Sequence, residues 1–554
     1  MIKKKYYIII FLFCIFLVSC GEENIEVNSN EVIVNQEKTN LDSLEKDNIR
    51  VPISYVYTKN PLLAKDQSLY YFNKLIYEGL YTYNSKLELE PLLTDSLTIS
   101  EDGRNVVLKL KNGIKWHNGA NLSADDVVFT YNFMKYEYQN TIYKDLFETI
   151  FDSNKNIGSR FSVQKLDNST VKIVLDKSYS QIKSIFTIPI LNKKTTLNGK
   201  SNQKSSYDKI SDINYEFKVN GTGPYMYDEY VTLKEYRLKS NEHYWKSKPN
   251  IEKVVGIVVS TKEAALTTIL SGITDIARVE SLDWGKYIEN NSLKIYEYAD
   301  TILDFIVYNH NKNIFKNDNG RLLKSAIGNS FDRSEIVKKS FLNHGQETAS
   351  LIHPIKDSSI KNILGAQIDD LEFNNYMKEL GYSGKNEMGY YSKNGKEFTL
   401  SLIAYGDKNR LKEIKIIEEG LMKIGIKLNF KLETDWTEFE KNLKNMNFDM
   451  AILTARIPLN SNYYEIVGLS GPLNFGKYNN SELEKIFRNW IESFPTNEIS
   501  NKNLFLDLIM SDQIVTPIAY RNSAILLNKE IEGIISPTKF NIFYDVEDWT
   551  IKND

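Results

Sequence analysis

Cysteine is almost absent: the 554 residues hold two, Cys14 and Cys20. Cys14 lies within an N-terminal apolar run and Cys20 directly after it. A chain processed there keeps no disulfide and no free thiol, which excludes thiol catalysis and cysteine-metal sites. Histidine is nearly as scarce, with five residues at 117, 243, 310, 344 and 353, and their scatter fits no metal-ligand spacing. Charge of one sign is lacking too, since 69 basic residues stand against 72 acidic ones. Nothing in that balance draws a nucleic acid. Missing as well are a Gly-x-Ser-x-Gly elbow, a His-Glu-x-x-His pair and any other catalytic set, and the many Asp and Glu residues single out no glycosidase dyad. Neither an enzyme nor a cofactor is expected. The apolar run Tyr6 to Val18 is below the roughly 20 residues that a membrane-spanning helix needs.

What is present begins at the amino terminus. Residues 1–19 place three lysines ahead of that apolar run, the layout of a secretory signal. Leu17-Val18-Ser19-Cys20-Gly21 resembles a lipobox, which makes Cys20 the lipidated first residue of the mature chain and the membrane its anchor. Losing the three lysines moves the formal charge from −3 to about −6. Residues 20–48 are rich in Glu, Asn, Ser and Lys without a sustained period, as a solvated tether is. The 42% hydrophobic content of the chain supplies a large core beyond that tether.

The densest stretch lies between Glu78 and Met134. Val106, Leu108 and Leu110 alternate with Val107 and Lys109, predicting a half-buried strand entered through a turn at Asp102-Gly103. Ser123 caps a helix with Asp126 in its first turn and Val127, Val128, Tyr131 and Met134 on one face. Ser100-Glu-Asp-Gly, Lys111-Asn-Gly-Ile-Lys-Trp-His-Asn-Gly119 and Leu122-Ser-Ala-Asp-Asp-Val-Val-Phe-Thr130 follow one another as in the family 5 extracellular solute-binding proteins. That family comprises oligopeptide- and dipeptide-binding lipoproteins of ABC transporters. The motif identifies a fold, and Trp116 and His117 are expected to be fold-forming loop residues rather than ligand groups.

The resemblance continues through Gly221-Thr-Gly-Pro-Tyr225 and Asn241-Glu-His-Tyr-Trp245, the Gly272 to Ala277 stretch, and Arg321 to Ile327 with Asp332-Arg-Ser-Glu-Ile336. Between those motifs, Val171, Ile173 and Leu175 predict a partner for the Val106 strand. Ser260 with Glu263 predicts a capped helix to Leu270. Asn198-Gly-Lys-Ser201 lacks the first P-loop glycine, position 194 being lysine, and reads as a surface loop. Further on, Phe305 to Asn309 reads as a buried strand. Leu411, Ile414, Ile417, Leu421 and Ile424 form a helical stripe, and Ile426 to Leu432 and Met450 to Thr454 read as strands, an α/β unit.

The resemblance implies a two-lobed α/β, periplasmic-binding-protein-like fold of the large three-domain type, hinged between its lobes. Lobe I would be discontinuous, over 49–76, 186–302 and 512–554. A small accessory domain would span 77–185, and lobe II 303–511. It also implies a cleft. The end of the first strand makes Tyr55, Val56 and Tyr57 candidates for it. In peptide-binding members a Trp after the Asp435-type cap, and a Trp-x-x-Asp after a Phe-Asp-Met strand, line the ligand, and the Asp holds the peptide ammonium. Trp436 matches the first Trp and Phe448-Asp449-Met450 the strand. The second Trp falls on Ala455 and the Asp on Pro458, so the usual anchor is missing. Arg456 stands there instead, and a desolvated guanidinium needs a carboxylate or phosphate, from ligand or protein. Glu465 is the acid available to replace the aspartate. The implied role is a monomeric importer receptor that passes a small solute, by family habit a peptide, to an ABC permease and its ATPase. The alternatives are a non-peptide anionic or polar solute, or peptide signalling without import.

Overall fold

The computed structural model describes residues 48–552 apart from 152–156, 281–286, 288, 357–369 and 458–462. Cys20, the signal segment, the tether to residue 47 and Pro458 lie outside the described residues. The first strand, Asn48–Ile53, buries Ile49, Val51 and Ile53 at alternate positions, the period of a strand with one covered face. It runs parallel to Lys253–Val258, and the four-stranded sheet of lobe I continues antiparallel through Glu235–Ser240 and Tyr225–Val231.

A second four-stranded sheet, in the order Thr94–Ile99, Asn105–Leu110, Thr170–Leu175, Phe161–Lys165, lies within the stretch expected to be the accessory domain. Val106, Leu108 and Leu110 face inward, and their strand pairs with the one that buries Val171, Ile173 and Leu175. The helix Ala124–Glu137 is buried beyond its expected stripe, because Phe129, Thr130 and Phe133 are covered too.

The signature motifs hold one another. The Trp116 indole donates to the Asp126 carboxylate at 3.2 Å, which also accepts from the Ser123 and Lys193 N–H groups. His117 Nδ1 accepts from the Gly221 N–H and Nε2 donates to the Gly223 carbonyl, at 3.2 and 3.0 Å. Burial pushes the His117 pKa down to about 4, so the ring is neutral there. Glu78 accepts from the Thr222 and Tyr244 hydroxyls and the Trp245 indole at 2.8, 2.8 and 3.0 Å. Gly221 and Gly223 pass so near the backbone of Leu75 and Ile76 that a Cβ at either would collide, which is why the turn is spelled with glycines.

The remaining large sheet has seven strands, in the order Ile276–Glu280, Val515–Asn528, Leu293–Tyr308, Met450–Arg456, Thr399–Tyr405, Lys427–Glu433, with Gly345–Glu347 pairing off the second. Leu293–Tyr308, the outgoing strand, is 16 residues long, and the stretch expected at Phe305 is only its far end. It pairs antiparallel with the return strand Val515–Asn528, with register breaks between Ala299 and Ile302 and between Asp304 and Phe305. Before the first break the return strand borders Ile276–Glu280 of lobe I. After it the outgoing strand borders Met450–Arg456 of lobe II. Two continuous strands therefore run through the expected boundary of the lobes, and their ladder is interrupted there, where a strand bends most easily.

Two local expectations shift. The helix Lys262–Leu270 is capped by Thr261 rather than Ser260, its hydroxyl accepting from the Ala264 N–H at 3.1 Å. On the helix Lys408–Lys423, Leu411 is exposed, while Arg410 and Glu413 are buried, drawn inward by an acid on the outgoing strand. Among the described residues no helix is long and apolar enough to cross a membrane.

Candidate functional site

Asp300 falls in the register break at the crossing and is fully buried. Its carboxylate meets Arg278 of lobe I at 3.2 Å, Arg456 at the end of the lobe II strand at 3.0 Å, and Lys539 of the C-terminal segment at 3.1 Å. The Ser523 hydroxyl donates to it at 2.6 Å. Burial pushes the carboxyl up, but Lys539, Arg456, Ser523 and Arg278 together reverse this and hold it well below the usual carboxylate range. Lys539 is largely covered, and desolvation lowers its pKa to about 8 despite Asp300. Glu280 stands 3.2 Å from both Arg278 and Arg456. Lys262 stands 3.6 Å from Glu280 as well, so four cations face two carboxylates and the set is net positive. The Arg456 side chain keeps 44% of its surface exposed.

Asp304, also fully buried, meets Arg410 at 3.2 Å, Arg521 at 2.5 Å and the Thr454 hydroxyl at 2.6 Å. Arg410 also pairs with Glu413. Burial raises the Glu413 carboxyl to about 7, Arg410 opposing and the Asp304 charge adding to the shift. Its Oε1 has no hydrogen-bond partner. A cavity of 480 Å³ lies alongside, lined by Tyr405, Arg410, Glu413, Thr434, Thr454 and Arg521 among others. It sits at the carboxyl ends of the parallel strands Thr399–Tyr405 and Lys427–Glu433, the edge of an α/β sheet where ligands bind.

The residues singled out from the sequence divide between these places. Arg456 pairs with the protein carboxylates Asp300 and Glu280, and Ala455 precedes it in register with Leu303. Trp436 is half exposed and stands edge-on to Tyr405, centroids 5.3 Å apart, beside the lobe II cavity. Tyr55 is exposed beyond the end of the first strand, whereas the Val56 side chain lies in the core. Tyr57 folds back on its own loop, its hydroxyl donating to the Leu63 carbonyl at 3.3 Å. Among the described residues no hydrogen bond or ring contact joins Tyr55, Val56 or Tyr57 to the two charged sets. Glu465, on the short helix Tyr464–Val467, is pushed up by burial and by the nearby Asp145 charge, with no cation offsetting it among the described residues.

Sequence reasoning missed Asp300, Asp304, Arg278, Arg410, Glu413, Arg521 and Lys539. A signal existed for some. Asp304 interrupts the apolar run from Ile302 to Tyr308, and Arg410 and Glu413 are a charged i,i+3 pair flanking a helical stripe.

A two-lobed α/β architecture with continuous strands running through it, and buried ion-pair sets on those strands, is that of the solute-binding receptors. The chain belongs to the bacterial extracellular solute-binding proteins, family 5, whose middle-region model matches residues 88–471. It is 23% identical to the oligopeptide-binding protein AppA of Bacillus subtilis (strain 168), with 88% of this chain and 89% of that protein covered. Heme-binding protein A of Haemophilus influenzae is 21% identical, with 83% and 84% covered. Among solved structures, the ABC transporter substrate binding protein CtaP from Listeria monocytogenes matches with a TM-score of 0.70 at 20% identity, covering 91% of this chain and 99% of that one.

Proposed function

We propose that this chain captures oligopeptides outside the membrane, held there by lipid on Cys20, and delivers them to an ABC permease and its ATPase. The relative named for oligopeptide binding supports the substrate class. The observation that carries it is a net positive set and a separate pair of acids. The set at the crossing has an excess positive charge, and Arg456 offers it at the boundary of the lobes. Glu465 lies near the Asp145 charge, with no cation offsetting it among the described residues. A free peptide is a zwitterion, and its carboxylate and ammonium complement those charges through charge-assisted hydrogen bonds. Arg456 takes the carboxylate, Glu465 takes the ammonium in place of an aspartate at 458, and Trp436 and Tyr55 offer aromatic surface. Ala455 leaves room where peptide-binding members carry a second Trp. Closure bends the strands at residues 299–302, and no bond is broken. A second reading, a non-peptide anionic solute, draws on the same cation excess and on the range of ligands named in the family.

Native mass spectrometry of the form from Gly21 onward, purified gently and then denatured, reads the cargo directly. A ladder of peptide masses is expected, depleted in Arg456→Ala and in Glu465→Gln. One discrete non-peptide mass, lost in Arg456→Ala, would replace the peptide reading with the second. For the anchor, Cys20→Ser should move the full chain out of the membrane fraction, and unchanged membrane association would sink that part.

A further inference from the structure

We propose that the accessory domain is a latch, a noncovalent clasp on lobe II that holds the lobes closed independently of the hinge strands and of solute. The proposal rests on the hinge-closing reading and not on the choice of solute. On the lobe II side, the helix Ser481–Glu492 buries Leu483, Phe487 and Trp490 in that lobe's own core, so the segment Ile491 to Thr496 moves with lobe II. On the other side are the Asp102-Gly103 turn and the stretch that follows the strand Thr170–Leu175 of the accessory sheet.

The two surfaces meet at several points. The Ser180 N–H donates to the Ile491 carbonyl at 3.1 Å, and the Ser178 hydroxyl donates to the Phe494 carbonyl. Lys177 pairs with Glu492 at 2.5 Å, and the Thr496 hydroxyl donates to the Glu101 carbonyl at 3.4 Å. The Phe494 ring packs against the core shared by lobe I and the accessory domain. Gly103, with φ +67°, lies so close beneath the Phe494 carbonyl that a Cβ there would collide with it. The Lys177 and Ser178 contacts join residues 315 and 316 apart in sequence. Opening about the crossing at 299–302 that carries lobe II away from the accessory domain breaks them, whereas the hinge strands only bend. A turn that sequence reading treats as the entry to a strand is thus also the seat of a contact between domains.

The form from Gly21 onward contains no cysteine. Asp95→Cys and Lys444→Cys, both at exposed positions, accept a dye pair across the accessory domain and lobe II. Single-molecule energy transfer on this form, dialysed exhaustively and with no solute added, should show a closed population. Its ratio to the open one should fall about two- to fivefold in Lys177→Glu, as for a partly exposed ion pair, and return when Glu492→Lys is added. Phe494→Ala, which removes an apolar anchor, should lower the ratio roughly tenfold. An unchanged ratio in both variants, or no closed population in the parent, overturns the latch. So does a Phe494→Ala protein that melts earlier yet keeps the parent ratio, since the ring would then be structural only.

Discussion

Asp300 and Asp304 stand four residues apart on one strand, both fully buried and both surrounded by cations. Their partners differ in where they come from. Asp304 is met by Arg410, Thr454 and Arg521, the last on the return strand where the ladder resumes after the break. Asp300 is met by Arg278 of lobe I, Arg456 of lobe II and Lys539 of the C-terminal segment. A carboxylate whose partners sit on one body stabilises that body and is indifferent to domain motion. One whose partners sit on several bodies ties their orientation together, and its surplus cation can be shared with a ligand. The same residue type on the same strand is thus cement in one place and joint in the other, and only the origin of the cations separates the two.

The sharpest test of that difference is truncation. Asp304→Ala leaves the Arg521 guanidinium without its acid and Arg410 with Glu413 alone, and is expected to cost ~3–5 kcal/mol of stability, read by urea denaturation. Asp300→Ala should cost less, about 1–3 kcal/mol, because Arg456 is partly exposed and still has Glu280. Equal losses would break the comparison. Solute retention should reverse the order: Asp300→Asn, by removing the acid that Arg278, Arg456 and Lys539 share, should change cargo affinity about tenfold, near 1.4 kcal/mol. Asp304→Asn should leave it within about twofold, and a shift as large as that of Asp300→Asn would show that both sets face the ligand.

Acid and neutral pH probe the sets from opposite directions. Asp300 is depressed in the fold, so its contribution is complete above the unfolded value of about 4. It disappears as pH falls from there through the native value. Asp300→Asn should flatten that part of the stability profile. Glu413 is raised to about 7, so between the unfolded value near 4 and pH 7 the native state binds more protons and stability falls as pH rises. Denaturation midpoints from pH 4.5 to 8 should show Glu413→Gln gaining on the parent through that window, with no further change above it. This is the smallest effect of the set, and parallel profiles for the two proteins would contradict it.

Much of the fold is legible in the chain because its cause is local. Val106, Leu108 and Leu110 alternate and are buried, Asp435 caps the helix Trp436–Lys444, and Gly425 ends its helix with φ +86°. Trp116 and His117 read correctly as fold-forming, although nothing local says that they bind Asp126 and the Gly221 turn. The charged sets were not legible. Periodicity placed Leu411 inside and ignored Arg410 and Glu413, because an acid 106 residues away on another strand decides which face of that helix turns inward. Arg456 was noticed for its position, yet its carboxylate partners are on other strands, one of them 176 residues earlier.

By itself, then, the sequence determined the elements, the family signature, the lack of thiol and metal-binding patterns, and the missing aspartate at position 458. Those follow from propensity, period and spelling, which act over a few residues. Tertiary structure alone decided which charges meet, where the lobes cross, that Arg456 already has protein partners, and that the Gly103 turn seats a contact with lobe II. The reason is physical. The free energy of a buried charge depends on the few ångströms around it, and only the folded chain determines who stands there.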